Sequence, residues 1–154
     1  MHPKPCLVVL ALSAVLGVAA TQASPQYFAH AVSPNAKPLP FSDAVLAGET
    51  LYVAGHLGLD PKTGQAPADT GAEAVLVMDA VQSTLKAAGL SMDDLVSVTV
   101  YCTDLSLYDR FNRTYVGYFH GQLPARAMIG VASLLRGGHF EVQGIAVRPG
   151  ARPH

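Results

Sequence analysis

The run Leu95-Val-Ser-Val-Thr-Val-Tyr-Cys-Thr103 is rich in β-branched residues and alternates in character. Val96, Val98, Val100 and Cys102 fall on one face of a pleated strand, and Ser97, Thr99 and Tyr101 on the other. A strand with one apolar face needs a second layer to cover it, and the residues on either side supply one. Upstream, Thr70 to Ala88 reads as a helix, because Ala74, Met78, Val81, Leu85 and Ala88 recur at three- and four-residue steps and form one apolar stripe. Gly89 follows as its stop. Downstream, Asp104 resembles a cap for a second helix through Tyr108, Phe111, Tyr115 and Phe119, which Pro124 ends.

Further out, Ala44-Val-Leu46 and Leu51-Tyr-Val-Ala54 flank Gly48 and suggest a hairpin. Asp60-Pro-Lys-Thr-Gly64 is a turn in which Pro61 presets φ and Gly64 allows the exit. Ala125 to Ala132 and Phe140 to Val147 read as two closing strands, joined through Gly137-Gly138. No internal repeat emerges beyond a broad two-fold order of strands followed by a helix. The expected fold class is α+β, with two helices covering one face of a sheet.

The N-terminus is of another kind. Cys6 to Ala20 is continuously apolar behind a weakly basic start at His2 and Lys4. That run is short for a bilayer span but suits a secretory signal, and Val18-Ala-Ala20 and Thr21-Gln-Ala23 end in the small residues a signal peptidase accepts. Residues 1–23 are expected to be a signal peptide cleaved after Ala20 or Ala23, residues 24–39 an extended arm, and residues 40–150 the domain. Tyr27 and Phe28 are placed to dock the arm on the sheet. The protein would then be periplasmic or secreted, with no membrane association after cleavage. Of the two cysteines, Cys6 would be lost and Cys102 kept, so no internal disulfide is available and Cys102 reads as a buried, inert thiol.

Charge narrows the function classes. The chain has 10 basic and 11 acidic residues, a formal net charge of −1. No run of one sign stands out, so nothing advertises a nucleic-acid partner. The six histidines (His2, His30, His56, His120, His139, His154) show no ligand spacing with one another or with Cys102, so no metal is expected. No Gly-rich phosphate loop follows a strand, and no cofactor is expected.

An ordered set of segments gives the chain a closer relation. Pro40-Phe41, Tyr52-Val-Ala-Gly55, Leu59-Asp-Pro-Lys-Thr-Gly64, Ala87-Ala-Gly-Leu90, Asn112-Arg-Thr-Tyr115, Pro124-Ala-Arg126 and Gly144-Ile-Ala-Val147 resemble, in order and spacing, the Rid (YjgF-type) family of reactive-intermediate deaminases. The resemblance implies a chorismate-mutase-like α+β fold, a mixed sheet under two helices, and a homotrimer with ligand clefts between subunits. It also implies hydrolysis of small imines and enamines that carry a carboxylate. Arg126 matches the arginine that holds the substrate carboxylate, a role suited to the two-pronged guanidinium. The competing role for Arg126 is a structural ion pair with an aspartate or glutamate. Asn112 matches an asparagine near the cleft, and Phe41, Ala54 and Gly55 fall at ligand-contacting positions.

Several positions depart from the family pattern. Phe41 stands for a tyrosine and Ala54 for a serine, which removes two hydroxyls. On the last strand Gln143 is matched to the glutamate that handles the attacking water, and an amide holds water without accepting its proton. Glu141 shares that strand face, displaced by roughly 7 Å. His56, next to Gly55, is a second candidate base. These departures imply weak deamination, or, as the alternative, a trimer that binds small carboxylates or keto acids without turning them over.

Overall fold

The computed structural model describes residues 24–29 and 39–150. The apolar N-terminal run, both proposed cleavage points and residues 30–38 of the arm lie outside them. Six strands and two α-helices follow in the order β1 (Gln26–Phe28), β2 (Ala44–Ala47), β3 (Thr50–Leu57), α1 (Thr70–Ala87), β4 (Leu95–Cys102), α2 (Tyr108–Tyr115), β5 (Ala125–Gly130) and β6 (Phe140–Val147). They build one sheet in the order β1-β2-β3-β6-β4-β5. Only β4 and β5 run parallel, joined by the crossover through α2. The α+β reading therefore holds, with the sheet mixed.

Alternation sorts each strand into two faces. Leu51, Val53, Val98, Val100, Cys102, Phe140, Val142 and Ala146 are buried and pack with Ala74, Val77, Met78, Val81 and Leu85 of α1. The other face carries Tyr52, Ser97, Thr99, Tyr101, Glu141, Gln143 and Ile145, each half-buried or exposed, and neither helix covers it. Phe111 joins α2 to the core, its ring 4.8 Å from that of Phe140.

Local chemistry sets the element ends. Asp69 caps α1 by accepting the Gly71 N–H at 2.9 Å and pairs with Arg110 of α2. Gly89 leaves the helix at φ 75°. Asp104 accepts the Ser106 N–H at 2.9 Å and opens a 3-10 turn, Leu105–Leu107, ahead of α2. The aromatic run extends the second helix further on paper than in space, because the chain tightens to 3-10 geometry over Val116–Tyr118. Tyr27 and Phe28 do dock the arm, as antiparallel partners of Val45 and Ala44. Cys102 is fully buried, its S–H donates to the Asp104 carbonyl at 3.0 Å, and burial pushes its pKa up.

Candidate functional site

β5 is an edge strand, and its second residue is Arg126. In register Arg126 sits beside the buried Val98, so its side chain lies on the helix-covered face. There the guanidinium carbon lies 4.5 Å from the centre of the Tyr115 ring and 5.7 Å from that of Tyr108. Among the described residues no carboxylate forms an ion pair with it. Arg126 lines a cavity of about 390 Å³ together with Asn112, Tyr115, Val116, Leu123 and Pro124.

Two buried polar atoms at this cavity, Asn112 Oδ1 and the Tyr115 hydroxyl, have no hydrogen-bond partner among the described residues. Burial raises the Tyr115 phenol pKa, against the opposing pull of the Arg126 charge. An unpaired cation beside two unmet polar groups is an arrangement that a small anion with hydrogen-bonding atoms would complete.

A second cluster forms where β3 is irregular. Val53 faces Gly144 on β6, but the next registered partner, His56, faces Val142, so the β3 side carries an extra residue around Ala54 and Gly55. The bulge turns the His56 ring toward α1, where its Nε2 lies 3.1 Å from Thr84 Oγ1. Gly55 lies against the side chain of Glu141, the register partner of Leu57: a Cβ on Gly55 would stand 2.0 Å from Glu141 Oε1. Glycine here lets the Glu141 carboxylate lie against the β3 backbone. The Ala54 N–H donates to the Asp43 carbonyl at 2.8 Å and draws in the segment that bears Phe41. Phe41, Gly55 and His56 share a cavity of about 410 Å³.

Gln143 lies elsewhere. It pairs in register with Thr99 on the uncovered face and donates from Nε2 to the Tyr101 hydroxyl at 3.0 Å. It lines a cavity of about 270 Å³ with Tyr52, Ser97, Thr99 and Ile145. The carboxylate at Gly55 belongs to Glu141, two residues away, which pairs in register with Leu57 and reaches back along β3 with its side chain. The Gln143 amide is hydrogen-bonded to Tyr101 and lines a different cavity from Gly55 and His56.

One chain does not gather all the expected site residues. Arg126 with Asn112 lies on the helix-covered side at the β5 edge, whereas Glu141 and Gln143 lie on the other face of β6. With β4 between them, β5 and β6 are roughly 10 Å apart. Sequence reasoning also missed Glu73, a fully buried acid on α1. Its signal was present: Glu73 precedes Val77 and Val81 by four and eight residues, so an acid falls on the apolar stripe.

Comparison with known proteins agrees with this architecture. The family model described as Endoribonuclease L-PSP matches residues 31–148. A Bos taurus protein named 2-iminobutanoate/2-iminopropanoate deaminase is 39% identical over 110 residues, covering 71% of this chain and 80% of its own. The Escherichia coli K12 protein of the same name is 36% identical over 112 residues, covering 71% and 88%. Among solved structures, the E. coli YjgF gene product superposes with a TM-score of 0.68 at 35% identity, covering 71% of this chain and 89% of its own. E. coli TdcF, determined with bound serine, gives 0.69 at 32%, covering 73% and 91%. With the family model matching residues 31–148 and these relatives at 32–39% identity, the chain belongs to the endoribonuclease L-PSP family, that of the Rid (YjgF-type) proteins.

Proposed function

We propose that this protein is an exported deaminase that hydrolyses small carboxylate-bearing imines and enamines, with each site completed between copies of the chain in a homotrimer. The observation that carries the reading is Arg126, a cation without an ion pair among the described residues, in a cavity with two unpartnered polar atoms. A substrate carboxylate would take two charge-assisted hydrogen bonds from the guanidinium, each contributing about 1.5–3 kcal/mol. The names of the relatives, which specify 2-iminobutanoate and 2-iminopropanoate, supply substrates of that form. A formal net charge of −1 favours such ligands over RNA.

Hydrolysis adds water to the imine carbon. The water oxygen bonds to carbon, the C=N π pair moves to nitrogen, and nitrogen takes up a proton. The carbinolamine then collapses, expelling ammonia and leaving a keto acid. A base must accept the water's proton, and Glu141 at Gly55 is the carboxylate that fits. His56, tied to Thr84, serves to fix the bulge that presents Gly55. Phe41 and Ala54 offer no hydroxyls to the ligand, so turnover is slow relative to a site that has them. Since one chain holds Arg126 and Glu141 on opposite faces, a substrate touching both would need the Arg126 edge of a neighbouring copy.

The test is release of keto acid and ammonia in a coupled assay that generates imines from serine or threonine. Arg126→Ala should abolish activity and keto-acid binding. Glu141→Gln should cost on the order of 10²- to 10⁴-fold, while Gln143→Glu leaves turnover near that of wild type. If wild type binds keto acids through Arg126 but no variant turns over imines, the non-catalytic binding trimer is the correct reading.

A further inference from the structure

Glu73, in the first turn of α1, is 0% exposed. Its Oε1 accepts the successive backbone N–H groups of His139 at 2.5 Å and Phe140 at 2.9 Å. Its Oε2 lies 2.7 Å from His139 Nδ1. Gly58 makes the space: a Cβ there would stand 2.3 Å from the Glu73 carbonyl oxygen and 2.9 Å from Glu73 Cγ. From the opposite side, the Thr103 N–H donates to the His139 carbonyl at 3.1 Å. The backbone entering β6 is thus gripped from α1 and from the end of β4. Phe140 is fully buried, and the next residue is Glu141.

We propose that Glu73 is a positioning residue for Glu141, setting the angle and height at which β6 delivers that carboxylate to Gly55. The inference rests on the reading of Glu141 as the base. A contact serving only to close α1 on β6 would be met by apolar side chains, which often match or exceed a buried ionic pair in stability. What the carboxylate adds is direction. Two backbone N–H groups and one imidazole meet a planar acceptor, and a base displaced by about 1 Å loses much of its rate advantage.

The experiment is a set of variants of the full chain in the imine assay. Glu73→Gln keeps a carbonyl oxygen for the two N–H groups but loses the charge facing His139. It should stay folded and lower kcat by roughly ten- to a hundredfold, with KM near wild type because the Arg126 cavity is untouched. In a Glu141→Gln background the same change should add almost nothing, since its effect passes through Glu141. His139→Ala leaves both backbone bonds in place and should give a smaller kcat loss of the same kind. That variant decides the matter if Glu73→Gln does not fold. Wild-type kcat in a folded Glu73→Gln, wild-type kcat in His139→Ala where Glu73→Gln fails to fold, a change confined to KM, or losses that multiply in the double variant would each overturn this proposal alone. Wild-type turnover in Glu141→Gln would remove the base reading, and this proposal with it.

Discussion

Arg126 keeps its guanidinium 4.5 Å from the centre of the buried Tyr115 ring, so the ring acts as a seat for the cation before any ligand arrives. A cation–π contact contributes about 0.5–2 kcal/mol. Tyr115→Leu should therefore weaken keto-acid binding by roughly 2- to 30-fold in calorimetry, whereas Tyr115→Phe keeps the seat and most of the affinity. Gly55 permits a second prediction at this scale. A methyl there would meet the far end of Glu141, a flexible side chain, at 2.0 Å. Gly55→Ala should fold with little change in melting temperature yet lose most of its turnover, because the carboxylate must swing away. Arg126 was legible in the sequence, since a cation opening an uncharged apolar strand stands out even without a family motif. The contact of Glu141 with Gly55 was not: Glu141 pairs in register with Leu57, and alternation alone does not reveal how far a long side chain reaches along the neighbouring strand.

Elements were more legible than their contacts, because periodicity is local and pairing is not. Helix α1 ends one residue before its apolar stripe does, and β6 spans the expected residues, but the parallel placement of β5 beside β4 depends on a crossover that no short window encodes. The turns share one device. Asp69 and Asp93 accept backbone N–H groups, from Gly71 and from His120, and Asp104 accepts the hydroxyl and N–H of Ser106, so all three carboxyls sit below the usual aspartate pKa of 3.8. A group depressed in the folded state adds stability above its unfolded pKa and loses it as pH falls through the folded value. Acid titration followed by far-UV circular dichroism should show stability falling below about pH 4, and Asp69→Asn should blunt part of that fall. Removing the α2 anchor acts independently of pH. Phe111 is fully buried against Phe140, and Phe111→Ala should cost about 3–5 kcal/mol in denaturant unfolding.

Among the described residues of the whole molecule, one sheet face carries no helix and one edge is rich in apolar side chains. On that face Tyr52 is 52% exposed and Ile129 of β5, beside Tyr101, is 45% exposed. Surfaces of this kind invite a partner, and the proposed trimer supplies it with further copies of the same chain. Light scattering should give three chains per particle, and Ile129→Lys should lower both the mass and the turnover, because separated copies hold incomplete sites. Mass spectrometry of the protein from its native host should find a chain beginning at Thr21 or Ser24; a retained Met1 would refute export. The buried thiol has a use of its own. In a chain cleaved at either point Cys102 is the sole cysteine, at the end of β4 with Phe140 on one side and Gly130 on the other. A sulfhydryl reagent can reach it only when the sheet opens, so its labelling rate is a built-in clock for the breathing of the native protein, readable without adding any probe site.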